Sequence, residues 1–333
     1  MLKKSLTVVN WIALALGVGA FLAKYIHPQV LFPIQFLPLL LPVLGLVFLP
    51  LTWWARHTKQ PWLLASNGLF LLAWLLPLML RQNVKAPPAP AVNDLKMVSY
   101  NVGQFQNDSA RVNGIIQFLK EEQPDIICLQ EFGLFEKWQD RTLLVRYFAE
   151  RLQMEHYHFA FETNNIFGLA IFSRFPIERS QTIFLPITVT NGAVLYELNV
   201  RGQPINLLHF HLYSFNQANL GHSNWQRLKL AFEQQSDNLN KINLATSKVT
   251  APLLMVGDLN NIPGSYFHHQ LHREYQDSFW AAGKGTGWTF QKGWLGTRID
   301  FQFASEGWTV LTHQVKSINF SDHYPVSATY RLN

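Results

Sequence analysis

The segment Pro252-Leu-Leu-Met-Val-Gly-Asp-Leu-Asn260 runs four apolar residues into a glycine and then sets Asp258 and Asn260 two apart. A short apolar run bounded by turn residues reads as a strand buried on both faces. The same design recurs outward from it. Upstream, Ile205-Asn-Leu-Leu-His-Phe210 ends in His211, Lys96-Met-Val-Ser-Tyr100 ends in Asn101, and Asp125-Ile-Ile-Cys-Leu129 leads through Gln130 to Glu131. Phe167-Gly-Leu-Ala-Ile-Phe172 is strand-like as well. Downstream, Ile299-Asp-Phe-Gln-Phe303 carries Asp300, and Asp322-His323 precedes a strand at Val326 to Tyr330.

Between the first two strands, Val112, Ile115, Ile116 and Leu119 recur at helical spacing, with Ser109 available as N-cap and Pro124 ending the run. A second amphipathic stretch runs from Asn224 to about Leu239, through Trp225, Leu228 and Phe232. Strands mixed with helices over one core predict an α/β sandwich, and no internal repeat interrupts it. Ligand sites gather where strands give way to loops, because the sheet fixes those positions while their side chains stay open to a cleft.

Charge divides the chain at residue 94. Residues 1–94 hold seven basic side chains and one acid, Asp94, so the remaining 239 residues carry 20 basic against 20 acidic groups. The formal charge of +6 therefore belongs to the N-terminal part and says nothing for nucleic-acid binding. The lone cysteine, Cys128, excludes an intrachain disulfide framework and a cysteine zinc cluster.

The N-terminal part has charge-free gaps at 5–23, 25–55 and 60–80, each long enough to cross a hydrocarbon layer. The first, after Lys3 and Lys4, also fits a cleaved signal peptide, but two further gaps favour an anchor. Residues 1–84 are thus expected to be a membrane anchor of three transmembrane helices, the middle one near Leu31 to Leu51 despite the five prolines of the 25–55 gap. Trp53, Trp54 and Trp62 flank the turn from Arg56 to Lys59, where interfacial aromatics belong. Lys3, Lys4, Arg56 and Lys59 against Lys24, Arg81 and Lys85 place the N-terminus inside and, after three crossings, everything beyond Arg81 outside the cytoplasm. Residues 85–94 are expected to form a Pro-rich linker, Ala86-Pro-Pro-Ala-Pro-Ala91, stiff enough to act as a tether, and 95–333 a single globular domain.

Taken singly, the polar strand ends are unremarkable: Gly-Asp-x-Asn is common turn chemistry, and a lone glutamate or histidine after a strand is usually solvated or packed. In combination, Val98-Ser-Tyr-Asn101, Cys128-Leu-Gln-Glu131, Leu208-His-Phe-His-Leu212, Val256-Gly-Asp-Leu-Asn260, Arg298-Ile-Asp-Phe301 and Ser321-Asp-His-Tyr-Pro325 resemble the signatures of the endonuclease/exonuclease/phosphatase superfamily, the deoxyribonuclease I-like fold. The resemblance covers Leu95 to the C-terminus. It implies a four-layer α/β sandwich, two β-sheets packed face to face with helices outside. Bacterial members with a few N-terminal spans are similar in plan, which implies an integral protein of a bacterial inner or cytoplasmic membrane.

Carboxylates, carboxamides and histidines without cysteine suit a hard cation, Mg2+ or Mn2+. The resemblance implies that Glu131 holds the metal with Asn101 and Asp322 nearby, that Asp258 orients and deprotonates a water, and that Asn260 donates to the phosphorus centre. It pairs Asp300 with His323 and leaves His211 to contact the phosphate or protonate the leaving oxygen. The expected activity is a metal-dependent phosphoesterase acting on diesters. Two departures matter: Val102-Gly103 stands where abasic-site nucleases carry another acid, and His211-Leu-Tyr-Ser214 replaces their Tyr-Val-Pro-Asn type segment.

The expected partners are the lipid bilayer and a phosphoester, either a lipid head group or nucleic acid, with no obligate protein partner. Trp280, Trp288, Phe290 and Trp294 would meet acyl chains or bases, or simply pack. A nuclease acting on extracytoplasmic DNA or RNA is one alternative, drawing on a local patch of Arg227, Lys229, Arg273, Lys284, Lys292 and Arg298. A catalytically silent scaffold presented on the membrane is another.

Overall fold

The computed structural model describes residues 2–81, 89, 91–133, 141–161, 167–185, 191–215, 223–292 and 295–333. Two units emerge: a helical one of Met1–Val84 with Ile262–Gln270, and a second of Lys85–Asn261 with Leu271–Asn333.

In the helical unit, α1 (Leu2–Leu22) is followed by the short α2 (Pro28–Leu31), a 3-10 stretch (Phe32–Leu40), α3 (Leu41–His57) and α4 (Pro61–Arg81). Prolines at 33 and 38 explain the middle: each removes a backbone donor, so the chain tightens into 3-10 turns before α3. Helical spans at Lys3–Tyr25 and Pro28–His57 are long and apolar enough to cross a membrane, whereas the apolar stretch Pro61–Leu76 is shorter. Two of the three expected spans thus meet the criterion of length and composition. Inside the unit, Asn10 of α1 and Asn67 of α4 are fully buried and exchange two hydrogen bonds, at 3.0 and 2.8 Å. The Pro-rich linker lies almost wholly outside the described residues.

The second unit carries α5 (Ser109–Glu122), α6 (Arg141–Leu152), α7 (Asn224–Thr246) and α9 (Ser278–Ala282), while α8 (Tyr266–His272) straddles the boundary between units. Its strands are β1 (Leu95–Asn101), β2 (Ile126–Phe132), β3 (His156–Ala160), β4 (Gly168–Ser173), β5 (Ile177–Phe184), β6 (Gly192–Val200) and β7 (Gln203–His211). They continue as β8 (Leu253–Asp258), β9 (Gln276–Asp277), β10 (Phe290–Lys292), β11 (Leu295–Thr297), β12 (Asp300–Ala304), β13 (Trp308–Val315) and β14 (Val326–Leu332). One sheet has the order β13-β14-β1-β2-β4-β3 and the other β5-β6-β7-β8-β12-β9, with β10-β11 a separate hairpin.

Alternation along β1 shows why the sheets stack. Met97 joins Ile126, Cys128 and Ile171 in a core shared with Tyr196, Leu207 and Val256 of the second sheet. Val98 and Tyr100, one residue on, face the opposite way onto Val112, Ile116 and Leu119 of α5 and Phe148 of α6. Period-two alternation thus serves two cores at once. With α7 along β5, the architecture is the expected one of two packed mixed sheets flanked by helices.

Helix ends differ in detail. Asp108, not Ser109, caps α5, accepting from the Ala110 amide at 2.8 Å. Ser223 and Gln226 close a capping box on α7, which extends to Thr246, about two turns past Leu239.

Candidate active site

Strand direction assembles the site. Strands β1 and β2 are parallel, with Asn101 beside Gln130, and β7 and β8 are parallel, with His211 beside Asp258. Each parallel pair therefore delivers its C-terminal residues to one edge. Antiparallel β12 lays Asp300, its first residue, against Asp258, the last of β8. In the other sheet, β14 runs antiparallel to β1, so the Ser321–His323 turn before it lies at the Asn101 end. Six chain segments, distant in sequence, meet at one end of the doubled sheet.

Asn101 ties the sheets together there. Its Nδ2 donates to Asp258 Oδ2 at 3.1 Å and to Glu131 Oε1 at 3.3 Å, while its Oδ1 accepts from the Gly103 amide. Glu131 sits in a bulge of the β2–β4 pairing with φ of 51°, a left-handed conformation that a non-glycine residue adopts at some cost. It is partly exposed, and the amide of Gln104 reaches its other oxygen at 3.3 Å.

His211 is buried, its Nε2 3.6 Å from Asp258 Oδ2 and 3.8 Å from Glu131 Oε1. Asp258 is equally buried; Oδ1 accepts from the Asn260 amide at 2.7 Å, and His323 Nε2 stands 3.8 Å from Oδ2. Desolvation, then the neighbouring Asp300, raises the Asp258 pKa to about 6, against the pull of His323 and His211. His323 Nδ1 meets Asp300 Oδ2 at 2.9 Å. Burial opposes charge on this ring, but Asp300, followed by Asp258 and Asp322, overrides it and pushes the pKa up to about 10. Asp300 and His323 thus form a hydrogen-bonded carboxylate–imidazole pair.

Asn260 and Asp322 stand at the margin of this cluster. Asn260, at φ 50°, turns its side-chain Nδ2 onto the Leu212 carbonyl at 2.9 Å, so one of its two amide hydrogens shapes the loop instead of facing the carboxylates. Asp322 is exposed at the rim, with Ser321 Oγ 3.3 Å from its Oδ1 and 2.9 Å from the Asn101 carbonyl.

Several contributors escape sequence reading. Thr289 Oγ1 accepts from the amides of Ile299 and Asp300, both at 3.0 Å, and Phe290 packs edge-on to His323 with ring centroids 5.0 Å apart. Nothing in Trp288-Thr-Phe290 announces this beyond its aromatics. Trp280 and Trp288 are exposed, while Trp294 lies outside the described residues. Arg298 does not belong to a basic surface patch: it is buried, paired with Asp277 at 2.8 Å and held between the Phe279 and Phe301 rings. Gly103 is confined by its backbone and its neighbours. Its φ is +53°, and a Cβ there would stand 3.0 Å from Ser321 Oγ and 3.5 Å from Asp322 Oδ1, so a larger residue would be strained at this turn.

The donor set fits a hard divalent cation. Glu131, Asp258, Asp300 and Asp322 face one imidazole held charged, a negative excess that such an ion balances. Among the described residues, Asp258, Asp300 and His323 offer ligand atoms within 4.8 Å of one another. These three are buried, and Asp300 and His323 are bonded to each other, which suits them to proton handling, while the more open Glu131 suits an ion.

The sequence matches the Endonuclease/Exonuclease/phosphatase family over residues 98–323. No curated protein matches it. Among solved structures, the endonuclease/exonuclease/phosphatase from Beutenbergia cavernae superposes with a TM-score of 0.57 at 18% identity, over 72% of each chain. D. rerio TDP2 humanized by 14 mutations gives 0.56 at 18% identity, over 72% of this chain and 99% of that one. The human Nocturnin catalytic domain with bound sulfate anion gives 0.53 at 18% identity, over 72% and 95%. Such distant likeness speaks for the fold alone. The family match spans more than half of the sequence and encloses every residue of the site from Asn101 to His323, and so the chain belongs to the endonuclease/exonuclease/phosphatase family.

Proposed function

We propose that this chain is a membrane-anchored, divalent-metal-dependent phosphoesterase that cleaves phosphodiesters by in-line attack of water. The observation that carries the reading is the convergence of Glu131, His211, Asp258 and His323 within 3.6–3.8 Å contacts, backed by the 2.9 Å Asp300–His323 bond. Glu131, with Asn101 and Asp322, would hold Mg2+ or Mn2+, which supplies charge neutralisation at the phosphoryl oxygens.

Asp258 takes the proton of the attacking water as the new P–O bond forms. Its raised pKa makes it a better base than an ordinary carboxylate. As the P–O bond to the leaving group breaks, a nearby imidazole returns a proton to the departing oxygen: His211 from its place beside Asp258, or His323, which Asp300 keeps charged. Asp300 also fixes the His323 tautomer, leaving Nε2 toward the site.

The apolar spans at Lys3–Tyr25 and Pro28–His57, followed by the 21-residue α4, support membrane anchoring with three crossings and the catalytic unit outside the cytoplasm. A lipid head group is then the favoured substrate. Exposed Trp225, Trp280 and Trp288 favour nucleic acid as a second reading, since aromatic faces stack on bases.

The full chain, purified in detergent with Mg2+, should hydrolyse bis(p-nitrophenyl) phosphate, and EDTA or Asp258→Asn should abolish this. Absence of turnover on any phosphoester would favour a silent scaffold. Parallel assays on sphingomyelin, phosphoinositides and plasmid DNA separate the substrate classes. Protease digestion of the catalytic unit on intact cells is expected for an outward-facing domain; full protection would reverse the topology.

A further inference from the structure

Four consecutive residues, Gly103, Gln104, Phe105 and Gln106, hold positive φ, at 53°, 57°, 51° and 47°. Glycine adopts this left-handed conformation freely, but the three residues after it do so at a cost, and such a run persists only where its surroundings over-determine it. The surroundings here are one stretch of β2. At the head of the turn, the Val102 amide donates to the Gln130 carbonyl at 3.0 Å. Phe105 is fully buried, its ring centroid 5.5 Å from that of Phe132 and 5.6 Å from that of Phe148. Between these two anchors, Gln104 Nε2 donates to Glu131 Oε2 at 3.3 Å. The turn thus grips residues 130, 131 and 132 in order, and its winding sends Phe105 into the core and Gln104 onto the carboxylate. With Asn101 Nδ2 on Oε1, also at 3.3 Å, Glu131 is held at both oxygens by carboxamides. A carboxamide orients a carboxylate without bringing a charge that would compete with a cation. Hydrogen bonds of this kind, made to a side chain that ligates a metal, typically carry roughly 10- to 100-fold in metal affinity.

We infer that Gln104 is a positioning residue for the divalent ion: the left-handed turn delivers its carboxamide to Glu131 and fixes the carboxylate that would hold Mg2+ or Mn2+. The inference rests on the reading of Glu131 as the metal ligand, and every residue it involves belongs to the second unit. Backbone strain in the turn then has a function, since it sets the orientation of Glu131 before any ion arrives.

Calorimetric titration of Mn2+ into the full chain in detergent tests this, with the melting temperature recorded beside it. Gln104→Met keeps the length of the side chain and removes the donor. Gln104→Gly removes the carboxamide at a φ that glycine adopts freely, so it should melt close to wild type and separates loss of the amide from loss of the turn. The control, Gln106→Gly, relieves the same backbone conformation at an exposed residue. Glu131→Gln reports on the metal ligand itself and should lose most of the binding. Expected is a Kd for Mn2+ about ten-fold higher in both Gln104 variants and unchanged in the control. An unchanged Kd in the Gln104 variants, while Glu131→Gln loses binding, would overturn the inference and leave the metal reading standing, as would an equal loss in Gln106→Gly. If the wild-type chain binds no Mn2+, or Glu131→Gln binds it as wild type does, the metal reading fails and takes this inference with it.

Discussion

Replacing Asp300 by asparagine keeps the shape of the residue and removes the charge that His323 Nδ1 faces at 2.9 Å. In the native chain burial pushes this ring toward neutrality, and Asp300 leads the contributions that carry its pKa from 6.5 to about 10 instead. At 1.36 kcal/mol per pKa unit, that span is roughly 5 kcal/mol in favour of the charged ring. Asp300 supplies both a charge and a hydrogen bond, while Asp258 and Asp322 act through charge alone. Its loss should therefore remove about half of the preference or more, bringing the midpoint down to roughly 8 or lower. The sign for stability is that of a base whose folded-state pKa is raised: the contribution is in place below pH 6.5 and fades as pH rises through about 10. In Asp300→Asn the contribution should be smaller and its fading, which starts from the same unfolded-state value, should be complete at a lower pH than in the native chain. Ring nitrogen shifts of histidine-labelled chain, with His323→Asn as the assignment blank, give the midpoint directly. The kcat profile should lose activity at correspondingly lower pH, with a fall of about 10²–10³ at the optimum, as for loss of a proton-transfer group. A midpoint still above 9 in the variant would refute the couple, because Asp258 and Asp322 would then be holding the charge.

Asp258→Asn should abolish turnover and yet raise the melting temperature above pH 6, because an acid with its pKa raised from 3.8 to about 6 burdens the fold once ionised, by up to about 3 kcal/mol; a drop in melting temperature would count against the repulsion argued here. Gly257→Ala should fail to fold, at a cost of about 4 kcal/mol or more, since φ is +148° and the new Cβ would lie 1.7 Å from the Phe210 carbonyl oxygen; a monodisperse, cooperatively melting variant would contradict this. His209, buried and bonded to Gln130 at 2.7 Å, has its pKa lowered to about 3 by desolvation and by His211. Its stabilisation is present above pH 6.5 and is lost as pH falls toward 3, so His209→Gln should move the acid-unfolding midpoint downward, and an unmoved midpoint would exclude it as the source. Removing divalent ions should weaken binding of a non-hydrolysable phosphodiester and not merely its turnover, which calorimetry with and without EDTA would resolve.

What the sequence reveals follows from burial. Strands β1, β2, β7, β8 and β12 lie inside the two-sheet core, so their apolar runs are unbroken and their polar ends conspicuous. Strand β5, Ile-Glu-Arg-Ser-Gln-Thr-Ile-Phe184, is an edge strand exposed along most of its length, and it leaves no apolar signal to read. Site residues on buried strand ends were legible for the same reason. Gln104 and Thr289 were not: each acts through a hydrogen bond whose partner is 27 or about ten residues away, and neither sits on a periodic element. The turning aside of Asn260 depends on its left-handed backbone and on the Leu212 carbonyl, both products of tertiary structure.

Charge shows the limit of composition most clearly. The residues after 94 balance at 20 basic against 20 acidic groups, which by itself suggests a surface indifferent to phosphate. Yet the fold sorts those charges. Arg298 is spent on Asp277 in the interior, and Lys96 and Lys316 on Glu122. Carboxylates are left to dominate one end of the doubled sheet. A phosphate oxygen about 4 Å from a carboxylate meets some 4 kcal/mol of repulsion at an effective dielectric near 20, several-fold over at this cluster, and one charged imidazole cannot offset that. If the proposed phosphoesterase takes its substrate at this end, the four acids gathered there are the physical reason that a cation would be called for.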